Sequence, residues 1–405
     1  MNSPALDPAR GPLKVLQVLP SLDSGGVERG TLELARALAG AGHESHVLSG
    51  GGRLVSRLEK QGSTHHQWSL GKKSPVTLLK IWRLRRWLET QEFDILHLRS
   101  RMPAWVCWLA WRGMDSRTRP RLVTTVHGLH SVNRYSEIVT CGERVIVVSE
   151  AVRNYVLTNY PDCDPAKLRL VYRGINPLEF PREHRPHPNW AEDWYRQFPQ
   201  LLDKRVLTMA GRLTRLKGHH DFFDVVLRLR ERGFDVHGLI VGGEDPKRIA
   251  YARELYQRAG AEDLAAHISF AGHRSDLRDI YAVSDVVLSL STQPESFGRT
   301  VLEPLSEGRP VVGYAHGGVA EILEALYGAG AVPLRDVDAA ADRIEAILRG
   351  QIAPPRRNDR FLLDNMVNST MAVYRELLGS PREGIVSDPE TDGDSSAPAT
   401  KDRTA

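Results

Sequence analysis

Two glutamates eight positions apart, Glu295 and Glu303, are the residues whose types and spacing most suggest chemistry. An apolar run at 286–290 predicts a buried strand before them, so we expect Glu295 in a loop and Glu303 inside the following helix. Such a turn directs the first N–H groups of the helix toward the ligand cleft. Two carboxylates placed this way could hold a hydroxyl-rich ligand at two points. The alternative is an ordinary helix entry, with Glu295 in its first turn and Glu303 solvated.

Two cations, Arg212 and Lys217, follow another apolar run, at 206–210, in a second predicted strand-to-helix turn. A guanidinium binds as a planar fork and an ammonium as a point charge, so this pair could clamp a diphosphate. Gly317 and Gly318 begin a further turn whose backbone N–H groups suit a phosphate or a sugar hydroxyl.

The first half of the chain offers a glycine pair and a histidine. Residues 14–48 predict a βαβ unit with Gly25 and Gly26 at the strand-to-helix turn, where glycine allows a phosphate to approach closely. No full dinucleotide fingerprint is present, and a plain tight turn explains the pair almost as well. His127 ends a predicted strand, on the side where open α/β sheets bind ligands, although a structural role is the alternative.

Length and composition indicate a soluble protein of two ordinary domains. The chain has 405 residues, 41% hydrophobic and 26% charged, with a net charge of +4. Its three scattered cysteines are too few for a disulfide framework or a zinc site, which favours a reducing cytoplasm. Residues 1–12 lack the features of a signal peptide, and the most apolar run, 102–109, is too short to span a bilayer.

Positive charge is concentrated between residues 53 and 121, where fifteen residues are basic and five acidic. A predicted helix in this region places Lys80, Arg83 and Trp87 on one face at i, i+3 and i+7, and Arg86 adds to its charge. We expect this face to bind an anionic membrane, because cations are attracted to anionic lipid and Trp prefers the interface. A solvated surface helix is the alternative. Nucleic acid is disfavoured, because no recognised binding motif accompanies the charge.

Alternating strand and helix patterns predict the α/β class, with a parallel sheet in each of two domains. The first domain is expected at 13–180 and the second at 204–358, joined by a linker at 181–203 that is rich in Pro, His, Arg and Trp. A final amphipathic helix is expected at 359–378. The polar tail at 379–405 lacks apolar periodicity and is predicted to be disordered.

Together these motifs resemble the retaining GT-B glycosyltransferases of family 4. The resemblance covers residues 13–378 and rests on seven motifs in one order, namely Gly25-Gly26, His127-Gly128, Arg173-Gly174-Ile175-Asn176, Gly211-Arg212 with Lys217-Gly218, Pro294-Glu295-Ser296-Phe297-Gly298, Glu303, and Gly317-Gly318-Val319-Ala320-Glu321. It implies GT-B architecture, with two Rossmann-like βα domains facing across a cleft and a C-terminal helix crossing back to the first domain.

The resemblance also implies a role for each candidate residue. A nucleotide sugar, a UDP-sugar by expectation, would bind mainly to the second domain, with Arg212 and Lys217 on its diphosphate and Glu303 on its ribose. Glu295 would bind the donor sugar, with Ser296 and the backbone N–H groups of Phe297 and Gly298 beside it. Gly25 and Gly26 would approach the phosphates and the acceptor, and His127 would contact the sugar or the acceptor hydroxyl.

The implied reaction is hexose transfer with retention of configuration. The expected acceptor is a glycan or glycolipid of the cell envelope, such as lipopolysaccharide core, reached by a cytoplasmic enzyme peripheral to the inner membrane. We expect no cofactor and no metal, because Arg212 and Lys217 already supply positive charge. The acid-x-acid motifs Asp162-Cys163-Asp164 and Asp336-Val337-Asp338 do not directly follow a convincing buried strand.

Two other functions remain open. A sugar-nucleotide epimerase of similar fold would need no acceptor. A non-catalytic nucleotide-sugar-binding or membrane-scaffold protein would bind a donor without turning it over.

Overall fold

Two parallel β-sheets, each covered by helices, form the frame of the protein. The computed structural model describes residues 11–23, 25–71, 75–246, 248–261 and 263–380. The predicted disorder at 379–405 therefore lies almost wholly outside the described residues.

The central strands of the first sheet are short and mostly buried, as expected where helices cover both faces of a sheet. Its strands are β1 (Lys14–Val18), β2 (Glu44–Ser49), β3 (Thr64–Gln67), β4 (Ile95–Leu98), β5 (Arg121–Val126), β6 (Arg144–Val147) and β7 (Leu168–Leu170). Its helices are α1 (Gly26–Gly40), α2 (Val55–Lys60), α3 (Pro75–Gln91), α4 (Arg101–Arg112), α5 (Arg134–Glu137) and α6 (Glu150–Asn159). The strand order is β3-β2-β1-β4-β5-β6-β7, and every pairing is parallel.

The second sheet repeats this plan. Its strands are β8 (Arg205–Ala210), β9 (Val236–Val241), β10 (Ile268–Gly272), β11 (Val286–Ser289), β12 (Val311–Tyr314) and β13 (Ala331–Val332). The helices of this half are α7 (Pro188–Gln197), α8 (His219–Glu231), α9 (Ile249–Ala259), α10 (Leu277–Ala282), α11 (Arg299–Ser306), α12 (Gly317–Tyr327) and α13 (Val337–Leu348), followed by α14 (Leu363–Gly379). The strand order is β10-β9-β8-β11-β12-β13, again parallel throughout.

Both sheets reverse their direction of winding beside their first strand. β1 lies between β2 and β4, and β8 lies between β9 and β11. The loops that leave the carboxyl ends of β1 and β4, and of β8 and β11, therefore diverge and leave a crevice between them. Each domain thus presents a potential ligand site at this switch point.

Three strands that the sequence did not predict are all at sheet edges. β3 is the polar stretch Thr-His-His-Gln, β7 has three residues, and β13 has two. Edge strands are short and less apolar because they pair on one side only, so their hydrophobic pattern is weak.

The segment predicted as a linker, 181–203, packs on the second sheet. It contains α7, whose Trp194 and Phe198 are buried against Val206 and Leu239 of the second sheet. Trp190 stacks on Trp194 with ring centroids 5.2 Å apart. These aromatic residues recur at i, i+4 and i+8, which is one face of a helix, and the surrounding Pro and His residues conceal that pattern.

The expected return of the last helix to the first domain is confirmed. α14 packs on the first sheet, where Met371 and Leu377 lie in one buried cluster with Val15 and Leu38. The hydroxyl of Tyr374, also on α14, hydrogen-bonds Nδ1 of His97 on β4 at 2.7 Å. Helix α14 therefore ties the second domain back to the first.

Candidate active site

The loops that follow β8 and β11 meet at the switch point of the second sheet. Arg212 and Lys217 lie in the first loop, and Glu295 lies in the second. Gly218 has a φ of 74°, and a Cβ there would lie 1.9 Å from the carbonyl oxygen of Leu290. Only glycine permits this backbone approach, which brings the cationic loop against the acidic one.

Lys217 and Glu295 form a half-buried ion pair. The ammonium Nζ lies 2.8 Å from Oε1 of Glu295, and each side chain is 23% exposed. The Ser291 hydroxyl also donates to this carboxylate. Burial by itself would raise the pKa of Glu295, but the Lys217 charge and the hydrogen bonds from Lys217 and Ser291 lower it below its usual range. Glu295 is therefore ionised and acts as a hydrogen-bond acceptor.

Arg212 is exposed, and its charge acts on the first domain across the cleft. Burial raises the pKa of Glu28 in α1, whereas the charges of Arg173 and Arg212 act to lower it. Because Coulomb interactions weaken with distance, this effect indicates that Arg212 lies near α1 of the first domain. Arg212 directly follows Gly211, where a Cβ would lie 3.0 Å from Cε of Lys217.

The residues after Glu295 fix the loop against the first domain. The Ser296 hydroxyl donates to the backbone carbonyl of His127 at 2.8 Å. Phe297 is buried, with its ring 5.8 Å from that of Phe361. Gly298 has a φ of 113° and caps the N terminus of α11. The Phe297 side chain therefore anchors the loop in the core.

Glu303 is almost fully buried and belongs to a chain of charges between the domains. Its Oε1 lies 2.8 Å from Nη1 of Arg29 in α1 and 3.2 Å from Nε of Arg299. Arg299 in turn lies 3.0 Å from Glu33 of α1. Although burial opposes it, the charges of Glu33 and Glu303 raise the pKa of Arg299 above its usual value. A ribose that reached Glu303 would have to share it with these two arginines.

The sequence did not indicate Arg29, Glu33 or Arg299 as site residues. Arg29 and Glu33 lie one helical turn apart directly after the glycine pair, and Arg299 lies four residues before Glu303. The sequence does show this i, i+4 spacing of opposite charges, but the same spacing is common on solvated helices. Only the packing of α1 against α11 shows that these charges lie between the domains and not on a solvated face.

His127 lies at the end of β5 and is held as a neutral imidazole. Arg173 donates to its Nδ1 from Nη2 at 2.7 Å, so the ring proton is assigned to Nε2. Burial, together with the charges of Arg173 and Arg99, lowers the pKa of His127 well below its usual value. Nε2 is buried and lacks a partner among the described residues. It is therefore a free hydrogen-bond donor.

The glycine pair shapes the neighbouring loop of the first domain. Gly25 has a φ of 149°, and a Cβ there would lie 2.5 Å from Oε2 of Glu28. The carbonyl of Gly26 accepts a hydrogen bond from Nη1 of Arg173 at 2.6 Å. The loop is thus drawn toward His127, on the edge of the first sheet that faces Ser296.

Two protein-family models match successive parts of the chain: Glycosyltransferase Family 4 over residues 24–178, and Glycosyl transferases group 1 over residues 192–360. The chain belongs to the GT-B glycosyltransferases of group 1. The family boundaries fall on either side of residues 179–191, between the two sheets.

This glycosyltransferase is 24% identical over 391 residues to the N-acetyl-alpha-D-glucosaminyl L-malate synthase of Bacillus anthracis, covering 91% of this chain and 97% of that protein. A glycosyltransferase from Rickettsia africae ESF-5 has a TM-score of 0.79 at 26% identity, covering 91% of this chain and 100% of that one. Anabaena HepE, solved in complex with UDP and glucose, has a TM-score of 0.70 over 90% of this chain and 95% of that one. Its identity of 19% shows a shared fold.

Helix α3 of the glycosyltransferase turns Trp87 inward. The Trp87 ring is half-buried, with centroid distances of 4.8 Å to His66 and 5.6 Å to Phe93. Lys80 donates from Nζ to the backbone carbonyl of Ser69 at 2.9 Å. Trp87 therefore packs in an aromatic cluster, and its predicted role at a membrane interface stays a prediction.

A different set of α3 residues faces outward. Leu79 is 76% exposed and Trp82 is 70% exposed, and Arg83 and Arg86 are also exposed. The Arg86 guanidinium lies 6.0 Å from the centroid of the Trp82 ring. Among the described residues, no helix is both long enough and apolar enough to cross a membrane.

The acid-x-acid motifs have local structural roles. Asp164 accepts from the backbone N–H of Ala166, and Asp336 accepts from that of Ala339 at the start of α13, both at 2.8 Å. Within the described ranges, no three His, Cys, Asp or Glu side chains are grouped closely enough to hold a metal ion. Metal independence stays a prediction.

Proposed function

We propose that this glycosyltransferase moves a hexose from a UDP-sugar to a glycan acceptor with retention of configuration. The observation that carries the proposal is the pairing of Lys217 with Glu295 at the switch point of the second sheet, beside Arg212. Cations suit a diphosphate, and an ionised carboxylate suits sugar hydroxyls. His127 lies directly across the cleft, because its carbonyl accepts from Ser296.

In the proposed reaction, Arg212 and Lys217 stabilise the negative charge that develops on the departing diphosphate. Lys217 donates to Glu295 at 2.8 Å, so a donor diphosphate would compete with this carboxylate for the ammonium group. Glu295 then accepts hydrogen bonds from donor hydroxyls and orients the anomeric carbon.

The state of His127 supports a mechanism without a protein base. Nδ1 is occupied by Arg173, and the remaining nitrogen, Nε2, carries the proton. An imidazole in this state donates a hydrogen bond but cannot accept the proton of an attacking hydroxyl. We therefore assign proton acceptance to the leaving phosphate, on the same face of the sugar as the acceptor.

The choice of UDP is supported by a structure of similar fold, since Anabaena HepE was solved with UDP and with UDP-glucose. The test is to incubate the enzyme with a panel of UDP-, GDP- and ADP-sugars, with and without candidate acceptors. The expected result is acceptor-dependent release of one nucleoside diphosphate and a product whose anomeric configuration, measured by NMR, matches the donor. An epimerised nucleotide sugar formed without acceptor would overturn the proposal, as would donor binding with no turnover for any acceptor.

We further propose that the acceptor is a cell-envelope glycan or glycolipid at the cytoplasmic face of the inner membrane, with lipopolysaccharide core as the leading candidate. The outward face of α3 supports this proposal, because Leu79 and Trp82 are apolar and Arg83 and Arg86 are cationic. Exposed apolar side chains beside guanidinium groups suit the interface of an anionic bilayer.

Vesicle flotation with anionic and neutral lipids tests this surface. Neutralising Lys80, Arg83 and Arg86 should reduce binding to anionic vesicles, most strongly at low salt. Trp82→Ala should also reduce it, whereas a triple neutralisation of exposed arginines in the second half of the chain should not. The control positions are Arg196, Arg205 and Arg349. Equal flotation of the two triple variants would place the membrane surface elsewhere.

A further inference from the structure

Two arginines of the first domain, Arg99 and Arg173, are each only 6% exposed, yet neither has a carboxylate within ion-pair distance in the part of the chain that the structure describes. Arg99 directly follows β4, at the switch point of the first sheet, and Arg173 follows β7. A buried cation is costly unless it is paired with an opposite charge. The site therefore contains positive charge that its own residues do not neutralise.

The hydrogen bonds of these arginines go to neutral groups. Arg99 donates from Nη1 to Oε1 of Gln17 at 2.6 Å, and its Nε is buried with no partner among the described residues. Arg173 donates to the Gly26 carbonyl at 2.6 Å and to Nδ1 of His127 at 2.7 Å. These contacts hold the guanidinium groups in place without neutralising them.

The two guanidinium groups converge beside Gly30 of α1. A Cβ at Gly30 would lie 2.7 Å from Nη1 of Arg173 and 3.4 Å from Nη2 of Arg99. The absence of a side chain at this position is what allows both groups to share one space. The N terminus of α1, which adds positive potential, lies one turn away.

Their electrostatic environment reflects this crowding. Burial, with the charges of Arg99 and Arg299, lowers the pKa of Arg173 to about 9, and burial lowers that of Arg99 to about 10. The carboxylates of Glu28 and Glu33 act on both arginines from a distance, but Glu33 is already paired with Arg299. A cavity lined in part by His97, Arg99, His127 and Arg173 adjoins the pair.

We propose that Arg99 and Arg173 form a binding site for an anionic group, a phosphate or a carboxylate, carried by the acceptor. The assignment to the acceptor rests on the proposed function, because the donor diphosphate is allotted to Arg212 and Lys217 in the other domain. The anion would supply the missing counter-charge and would place the rest of the acceptor at the cleft, beside His127.

The test uses inorganic phosphate as the probe, titrated calorimetrically into the whole protein against a chloride control of equal ionic strength. One series is run without UDP and one with saturating UDP, so that a phosphate competing for the donor site is recognised. The expected result is phosphate binding that persists with UDP bound, and that weakens at least tenfold in Arg99→Gln and in Arg173→Gln. Arg117→Gln, an exposed arginine of the same domain, is the matched control and should bind phosphate like the wild type.

Gly30→Ala provides a second test in case the arginine variants do not fold. It removes no buried charge, and alanine is favoured over glycine inside a helix, so this variant should fold. Its methyl group should crowd the two guanidinium groups and weaken phosphate binding while UDP affinity stays within twofold. Phosphate binding that is absent, lost with UDP bound, or equal in all variants would overturn the proposal. If the proposed function is wrong, the protein should not bind UDP. The phosphate titrations without UDP would still show whether Arg99 and Arg173 bind an anion.

Discussion

Replacing Lys217 with methionine separates the structural role of the Lys217–Glu295 pair from its role in donor binding. Methionine keeps the apolar stem, which lies close to Gly211, since a Cβ there would be 3.0 Å from Cε of Lys217. What is lost is the ammonium group 2.8 Å from Glu295. Among the described residues the carboxylate would then keep the Ser291 hydroxyl as its hydrogen-bond donor, and its pKa would rise.

The structure sets the size of both effects. A hydrogen bond to a charged group contributes about 1.5–3 kcal/mol, and partial exposure of both side chains reduces the expected loss of unfolding free energy to about 1–2 kcal/mol. Loss of the same ammonium from a bound diphosphate should cost about 1.5–3 kcal/mol of binding. This corresponds to roughly a 10- to 150-fold increase in the Kd for UDP.

Urea denaturation and calorimetric titration with UDP measure these two quantities. In the double variant Lys217→Met/Glu295→Gln the unpaired carboxylate is gone, so stability should recover while UDP affinity stays weak. Lys204→Met, which breaks an exposed pair with Asp235, should alter neither quantity. Unchanged UDP affinity in Lys217→Met would refute direct contact between the lysine and the donor. Recovery of both the free energy of unfolding and the UDP affinity in the double variant would refute it as well.

Three further predictions concern the carboxylates of Glu295, Glu307 and Glu33. Glu295→Gln should lower kcat/KM on the order of 10- to 100-fold while thermal denaturation shows an intact fold, because a charged acceptor for the donor hydroxyls is lost. Burial raises the pKa of Glu307 to about 9, so near neutral pH the native state keeps a proton that the unfolded state releases. The free energy of unfolding should therefore fall as the pH rises toward 9. Glu307→Gln should abolish this decline of about 1.4 kcal/mol per pH unit, and an unchanged slope between pH 7 and 8.5 would contradict the burial argument. Glu33→Gln leaves Arg299 with one carboxylate fewer, so small-angle scattering should show a larger radius of gyration than in wild type, and an equal radius would exclude a role in domain closure.

The alternation of strands and helices was predictable because the central strands are rich in apolar residues, as in β6 and β11. The sequence also placed Lys217 and Glu295 in loops after two strands, but sheet order decides whether such loops meet. Here β8 and β11 are neighbours although they are separated by β9 and β10 in the chain. That adjacency depends on long-range pairing, which local patterns do not specify.

The side chains between the domains were the least predictable part. The ion pairs of Glu303 with Arg29 and of Arg299 with Glu33 connect residues more than 260 positions apart in sequence. Trp87 shows a related difficulty, because helical spacing groups residues onto a face without indicating which face is buried. Trp82, five residues earlier, is the exposed tryptophan of α3.

The central claim is that the loops after β8 and β11 bind the nucleotide sugar. Hydrogen exchange with and without UDP, followed by mass spectrometry, tests this claim most directly. We predict slower exchange in peptides covering residues 211–218 and 290–298, with a smaller effect at residues 25–30 across the cleft. Stoichiometric UDP binding that leaves the first two segments unchanged, with protection elsewhere, would contradict it.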